Sequence, residues 1–533
     1  MFSQILSLIN GKIYVSFKPL KTANGITLFG DKILYVGSAD HADILAKLQN
    51  GKVVDLDGKV AMPGFIDSHL HLDSLGIGLN TIDMRNTTSI KDLQDRLKKF
   101  AATHPEAKWI RGRGWDQESF EEGRWPNKSD LDEVVSDKPV LLIRTCGHAA
   151  VVNSKTLELL KGLSKPLEPP EYDRDNSGEL TGIVREDGVK TVRNMIIYTS
   201  EEYIKFLKDA SDHAFSNGVT TVAIAGCISE VFKALHLMLA NNELRLRVRA
   251  FLSKELLPYA KVLGIARNFG HPNLKISGVK VLADGSLGAR TALLSEPYSD
   301  DPSTSGVPTI SEEELHRIVK ESSENELQVA AHGIGDKSID QILNAYEAFK
   351  EYIPKLRHRI EHTSVIRPDQ IKRMAKLGVG TAVQPHFIPS DWWAVKRVGV
   401  KRAPWVYPFK TLLDAGIRMG FSTDCPVEPL NPWLTVYAAV TRGEYEGIEL
   451  SKYTANEKLD VATALHLYTQ GSAQILHEEK ELGTLEEGKF ADLIIIDKDP
   501  LQVEPRELKD VKVLGTIVGG IPVYVSDELH LLA

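Results

Sequence analysis

Apolar residues in this chain fall into short runs separated by stretches of helical periodicity, and the mixture changes along its length. Up to about residue 60 the runs are brief and broken by glycines: Ile13-Tyr14-Val15, Ile26-Thr27-Leu28-Phe29, Ile33-Leu34-Tyr35-Val36 and Val53-Val54-Asp55-Leu56. Such runs between turn residues predict strands. The same texture returns at 491–497 and 511–518, after which Gly519-Gly520 predicts a hairpin into 521–525. Two β-rich ends around a long middle predict one β-sandwich built from residues 1–60 and 480–533, with the alternating start 1–15 as its first strand.

The middle, residues 61–479, alternates apolar runs with helical patterns, which predicts a parallel sheet covered by helices. The expected strands are 62–68, 218–225, 247–253, 278–283, 327–331, 358–361, 378–384 and 417–423. Eight such units fit an α/β fold of the (β/α)8 type, whose active site lies at the C-terminal ends of the strands. After His332, the residues Ile339, Ile342, Leu343 and Tyr346 recur at helical spacing. Residues 72–217 are too many for one βα connection and include a strand of their own at 139–144 and a helix at 89–102. They read as an α/β insertion after the first barrel strand, lying over the barrel mouth.

Composition narrows the possibilities. The 533 residues are 42% hydrophobic and 26% charged, with a formal net charge of −8. That balance suits a globular protein with a small-molecule substrate and argues against a phosphate-tracking nucleic-acid binder. No apolar run approaches the ~20 residues that span a bilayer. The N-terminal stretch lacks the basic and small-residue features of a secretory signal. Three widely spaced cysteines, Cys146, Cys227 and Cys425, suggest no disulfide framework and fit a reducing, cytoplasmic compartment. Asn86-Thr87-Thr88 reads as a chance sequon in that setting, and a homodimer is compatible with the sequence.

The chemistry concentrates at strand ends. Pro63-Gly64-Phe65-Ile66-Asp67-Ser68-His69-Leu70-His71 feeds a Pro-Gly turn into an apolar run ending in two histidines. Side chains alternate along a strand, so His69 and His71 face the same way and can chelate a transition metal. Further polar residues fall in or just after later strands: Lys280 within the fourth, His332 after the fifth, His362 after the sixth and Asp424 after the eighth. Each alone has an ordinary reading, such as a satisfied strand-end histidine or an aspartate capping a helix. Lys280 is the most diagnostic. Desolvation of a lysine in an apolar strand favours the neutral amine, which can add carbon dioxide and become a bridging carbamate. The competing reading pairs it with Asp284 or another barrel carboxylate.

These residues, with Gly114-Trp115-Asp116-Gln117, Gly147-His148-Ala149-Ala150-Val151-Val152-Asn153-Ser154, the run Asp284-Gly285-Ser286-Leu287-Gly288-Ala289-Arg290-Thr291-Ala292 and Glu486-Glu487-Gly488-Lys489-Phe490-Ala491-Asp492-Leu493, resemble the amidohydrolase superfamily. The branch is amidohydrolase family 3, the YtcJ-like group that includes N-substituted formamide deformylases. The resemblance runs from about residue 5 to 525. It implies a metallo-dependent hydrolase barrel binding two divalent cations, most simply zinc, through His69, His71, carboxylated Lys280, His332, His362 and Asp424. It also implies hydrolysis of an amide-type, non-peptide C–N bond by a hydroxide bridging the metals, with Asp424 moving the proton. His148 is a second catalytic candidate, able to bond a developing oxyanion or equally to hold its own turn. Trp115, Asp284 and Arg290 are candidates for substrate binding, against the readings of core packing and a surface ion pair. Aromatic residues after the seventh strand, Phe387, Trp392, Trp393, Trp405, Tyr407 and Phe409, line a pocket or pack between elements, and Lys396, Arg397, Lys401 and Arg402 read as a solvated basic face. Competing functions are deamination, lactone or phosphoester hydrolysis on the same site, and an inactive barrel scaffold.

Overall fold

The computed structural model describes residues 5–163 and 166–529. The expected first strand is therefore seen from Ile5 onward, and its first four residues lie outside the described set, as do 530–533.

Eight parallel strands form the central sheet in chain order: β1 (Phe65–Leu70), β2 (Val219–Cys227), β3 (Arg247–Ser253), β4 (Leu274–Leu282), β5 (Gln328–Gly333), β6 (Arg359–His362), β7 (Gly380–Val383) and β8 (Met419–Phe421). Each pairs with its sequence neighbours, as a (β/α)8 barrel requires. Helices run between them, and Asp336–Ala348 buries the predicted Ile339, Ile342, Leu343 and Tyr346. The circle is completed between β8 and β1 by bonds just past the strands. Asp424 N–H donates to His69 O at 2.9 Å, and His71 N–H donates to Cys425 O at 2.8 Å. Below them Ser68 Oγ donates to Phe421 O at 2.8 Å, and buried Asp67 accepts from the Thr423 hydroxyl at 2.6 Å. The seam thus ties together the two segments that carry His69, His71 and Asp424.

Both chain ends build a second sheet of eight strands. Its order is Ile521–Val525, Val513–Val518, Leu493–Ile496, Val60–Pro63, Ile5–Phe17, Leu20–Phe29 and Lys32–Gly37, with Lys52–Asp55 paired to Ile5–Phe17. Its aliphatic core draws on both ends, from Leu8, Ile13 and Ile26 to Leu493, Ile495 and Ile517. The hairpin glycines have φ of 56° and 72°, the double left-handed turn that joins right-twisted strands.

The expected strand 62–68 divides at Gly64. Val60–Pro63 pairs with Leu493–Ile496 in the terminal sheet, whereas Phe65–Leu70 pairs with β2. A Cβ at Gly64 would meet the Thr220 side chain at 2.3 Å, so only glycine passes at this crossover.

Residues Gly76–Phe206 form a separate compact unit. Its six strands run Tyr172–Arg174, Leu180–Arg185, Ala149–Val152, Val140–Arg144, Ile110–Trp115 and Ile82–Asp83. The predicted helix is Ile90–Thr103, capped by Ser89 Oγ accepting from Asp92 N–H at 3.0 Å. Among the described residues no helix is long and apolar enough to cross a membrane.

Candidate metal centre

The residues that the alternation places at strand ends meet at one rim of the barrel. The His69 and His71 rings lie 5.7 Å apart, His69 and His362 4.8 Å, and His362 and His332 4.4 Å. Asp424 Oδ1 is 3.3 Å from His69 Nε2 and 3.2 Å from His71 Nε2, without the angles of a hydrogen bond. One ligand atom each from His69, His71 and Asp424 falls within 4.8 Å of the others. Three potential ligand atoms converging on one point suit a cation.

Outer partners settle which ring nitrogen His69, His362 and His332 present. Glu361 Oε2 accepts the Nδ1–H of His69, leaving Nε2 toward Asp424. Gln384 Oε1 accepts from His362 Nδ1 at 2.8 Å, while the Gln384 amide donates to Ser422 Oγ at 2.8 Å. His332 Nε2 donates to Gly285 O at 3.0 Å, so Nδ1 carries its lone pair. Such bonds fix the tautomer and ring angle of a metal-binding imidazole. Burial, then the nearby Lys280 charge, pushes the His332 pKa down to about 3. That ring is neutral and available as a donor at any physiological pH. Asp424 is held well below the usual carboxylate range: burial opposes ionisation, and the adjoining His69 and His71 imidazoles outweigh it.

Lys280 sits on β4 between Ser253 of β3 and Ala330 of β5. Its Nζ is buried and has no hydrogen-bond partner. Burial, the largest influence, pushes its pKa down to about 8, against the pull of Glu361 and Asp424. A buried amine without a partner is rare, because its lost solvation goes uncompensated. The alternative partner, Asp284, is engaged elsewhere: its carboxylate accepts N–H groups from Leu293, Ile334 and Gly335 at 2.8–3.1 Å.

The backbone is strained at the same place. His362, Thr363 and Asp424 have φ of 71°, 50° and 59°, the left-handed region that non-glycine residues avoid.

Glu361 and Gln384 escaped the sequence reading. The signal was present in Arg359-Ile360-Glu361-His362, where two charges at alternate positions of a buried strand must face each other. Arg359 Nε lies 2.7 Å from Glu361 Oε1, and both are fully buried. Burial alone would raise the Glu361 pKa; Arg359 and His69 instead bring it down to about 2.

The remaining candidates are placed differently. Asp284 lines the barrel end, but its carboxylate is consumed in tying two loops. Arg290 pairs with Asp300 at 3.0 Å, the ion-pair reading. Trp115 has no exposed surface; it packs against Trp125, 5.5 Å away, and donates Nε1–H to Leu142 O at 2.8 Å. His148 is exposed in the turn between Val140–Arg144 and Ala149–Val152, and its carbonyl accepts from Glu186 N–H. After β7, Phe387 reaches the cluster, its ring 6.3 Å from that of His362, whereas Tyr407 and Phe409 are core and Trp392 is exposed. One member of the expected solvated basic face is buried instead and a second is half-buried. Arg402 donates to the carbonyls of Val398, Glu296 and Pro297, and Arg397 pairs with Asp300.

Comparison with known proteins agrees with this geometry. Residues 52–524 match the model of the amidohydrolase family. The chain is 33% identical over 483 residues to YtcJ of Bacillus subtilis (strain 168), named as an amidohydrolase, covering 88% of this chain and 90% of that protein. It is 24% identical over 542 residues to the N-substituted formamide deformylase of Arthrobacter pascens, covering 97% and 98%. A crystal structure of an uncharacterized metal-dependent hydrolase from Pyrococcus horikoshii OT3 superposes with a TM-score of 0.83 at 42% identity, covering 94% of this chain and 99% of that one. The chain belongs to the amidohydrolase family and is a metal-dependent hydrolase acting on carbon–nitrogen bonds.

Proposed function

We propose that this protein hydrolyses an amide-type, non-peptide C–N bond of a small molecule at a site for two divalent cations, zinc foremost, held by His69, His71, Lys280, His332, His362 and Asp424. The observation that carries the reading is the partnerless, buried Nζ of Lys280 among these groups. The neutral amine adds through its lone pair to the carbon of carbon dioxide, one N–H proton leaves to solvent, and a carbamate remains. The product is an anion with two oxygens, which answers both the missing partner and the excess of neutral donors. Four imidazoles and two carboxylate-type groups make a donor set of the kind zinc takes.

When bound, the cations would supply a polarised carbonyl and a water acidic enough to attack near neutral pH. The protein's own part is to hold and move protons. Glu361 and Gln384 keep the lone pairs of His69 and His362 aimed at the site. Asp424, ionised and almost buried, accepts the proton of the attacking water and returns it to the leaving nitrogen. The three cysteines carry no disulfide, which supports a reducing compartment such as the cytoplasm.

Zinc-loaded protein is expected to contain about two zinc ions per chain and to lose hydrolysis of N-formyl and N-acyl amides on chelation. Asp424→Asn should lower kcat about 100- to 10,000-fold while zinc stays bound. Full turnover by that variant with metal in place would remove Asp424 from the proton path.

A further inference from the structure

The loop leaving β7 carries a second carboxylate–imidazole pair, outside the candidate ligand set. His386 stands two residues past Gln384, and its Nδ1 lies 2.5 Å from Glu428 Oε2. Glu428 follows Asp424 by four residues. Its side chain is 9% exposed although its neighbours Val427 and Pro429 are exposed, so the carboxylate is turned inward at the rim. Phe387, next to His386, is the residue whose ring reaches His362. The loop is anchored farther along: Tyr407 OH donates to Asp391 at 2.5 Å, and Tyr407 N–H donates to Ser364 O at 2.8 Å, two residues past His362. The pair is therefore held beside the candidate centre by both its neighbours in sequence and its neighbours in space.

Glu428 Oε2 accepts the Nδ1–H of His386, which leaves the lone pair of the neutral ring on Nε2. Among the described residues Nε2 has no protein partner, and 17% of the side chain is open to solvent. This is the same construction as Glu361 on His69, with an outward nitrogen that the ligand set does not use. An amide whose carbonyl is directed at the cations presents one more polar group, its N–H. A donor desolvated without an acceptor is costly. Asp424 and the four ligand imidazoles are committed to the centre. His386 Nε2 is an oriented acceptor at the rim that the ligand set does not engage.

We propose that His386 Nε2 accepts the N–H of the scissile amide, with Glu428 fixing the tautomer, so that the protein prefers amides bearing an N–H to N,N-disubstituted ones. The inference rests on the reading of the neighbouring site as an amide hydrolase. The test compares N-butylformamide with N-butyl-N-methylformamide on zinc-loaded protein. His386→Ala should keep its zinc and its melting temperature, lower kcat/KM for the first substrate about 10- to 100-fold, and leave the second within about twofold. Glu428→Ala, which removes the acceptor of Nδ1–H and frees the ring proton to move to Nε2, should reproduce the selective loss with the imidazole still in place, whereas Glu428→Gln, whose amide oxygen can accept that N–H as Gln384 does from His362, should keep most of the selectivity. Equal losses on both substrates, or no loss on either, would overturn the proposal. A second measurement is independent of turnover. Diethylpyrocarbonate should modify His386 in the zinc-loaded wild type, and acetohydroxamate, a chelating amide analogue, should slow that modification several-fold. Labelling unaffected by the analogue, or no labelling of His386, also counts against it. Failure of the amide-hydrolase reading itself shows separately, as wild-type protein without zinc or without hydrolysis of either formamide.

Discussion

The buried polar groups of the motif residues are treated in opposite ways at the barrel rim and in the insertion. In the insertion, Asn153 is fully buried and every valence of its amide is used: Oδ1 accepts from Val140 N–H, Thr156 N–H and the Thr156 hydroxyl, and Nδ2 donates to Val135 O and Lys138 O. The Trp115 indole is likewise paired. At the rim, Lys280 Nζ and Asp424 Oδ1 are buried with no hydrogen-bond partner, beside histidines whose free nitrogens face the same space. Both regions carry motifs through which the sequence resembles its family. Tyr172 Oη in the insertion is also buried without a partner, but only at the rim do the orphaned atoms belong to the motif residues themselves, and such atoms are what a bound group completes. A motif that is satisfied internally holds a fold together, and one that is not points outward to chemistry.

The largest effect that tests this contrast is at Lys280. Lys280→Met replaces the orphaned amine with an apolar chain of similar length. The metal-free variant should melt higher than metal-free wild type, because a buried group without a partner has been removed. Zinc should fall below two per chain, and kcat/KM should drop at least about 1000-fold. A variant that melts lower without metal yet keeps both zinc ions would mean that Lys280 is an ordinary packed residue, and the contrast would fail at its strongest point.

Trp115→Phe should behave in the opposite sense. It keeps an aromatic ring but removes the N–H that donates to Leu142 O, so denaturant unfolding should report a cost of about 1 kcal/mol. Zinc content and kcat/KM should stay within about twofold of wild type, as expected of a group whose bonds are all internal. A large loss of kcat/KM at unchanged stability would return Trp115 to the substrate-binding role that its motif suggested.

The barrel was legible because a buried parallel strand is a short apolar run, and because topology brings the C-terminal ends of such runs together whatever their separation in sequence. Arg247–Ser253 is found at its expected bounds. His69, His332 and His362 meet for the same reason. The run 62–68 was misread as one strand because apolarity does not show where a strand changes partners; that depends on Gly64 clearing Thr220 across the crossover. Glu361 and Gln384 were missed because their work is to aim histidines, which requires knowing which nitrogen faces where. Arg402 was taken for a surface charge because its acceptors are backbone carbonyls about a hundred residues away, and carbonyls leave no mark in a sequence.

The smallest effect concerns a histidine four residues from His362 that falls on the satisfied side of the contrast. His358 is fully buried; its Nδ1 accepts from Val329 N–H at 3.0 Å, and its Nε2 donates to Ser323 Oγ at 2.9 Å, whose own proton goes to Val319 O. Both nitrogens are used by the neutral ring, and a proton on Nδ1 would face another N–H. Burial accordingly pushes its pKa from 6.5 down to about 3. Between those values the unfolded chain binds a proton that the folded chain refuses, so this group's contribution is intact above pH 6.5 and is lost as pH falls toward 3. His477, brought down to about 4 chiefly by burial, adds to the slope with the same sign. Urea unfolding of metal-free protein should therefore give a stability that declines below pH 6.5, and His358→Gln, less stable throughout, should show a shallower decline. An unchanged slope would mean that the folded state accepts the proton, and that His358 belongs with the open groups of the rim.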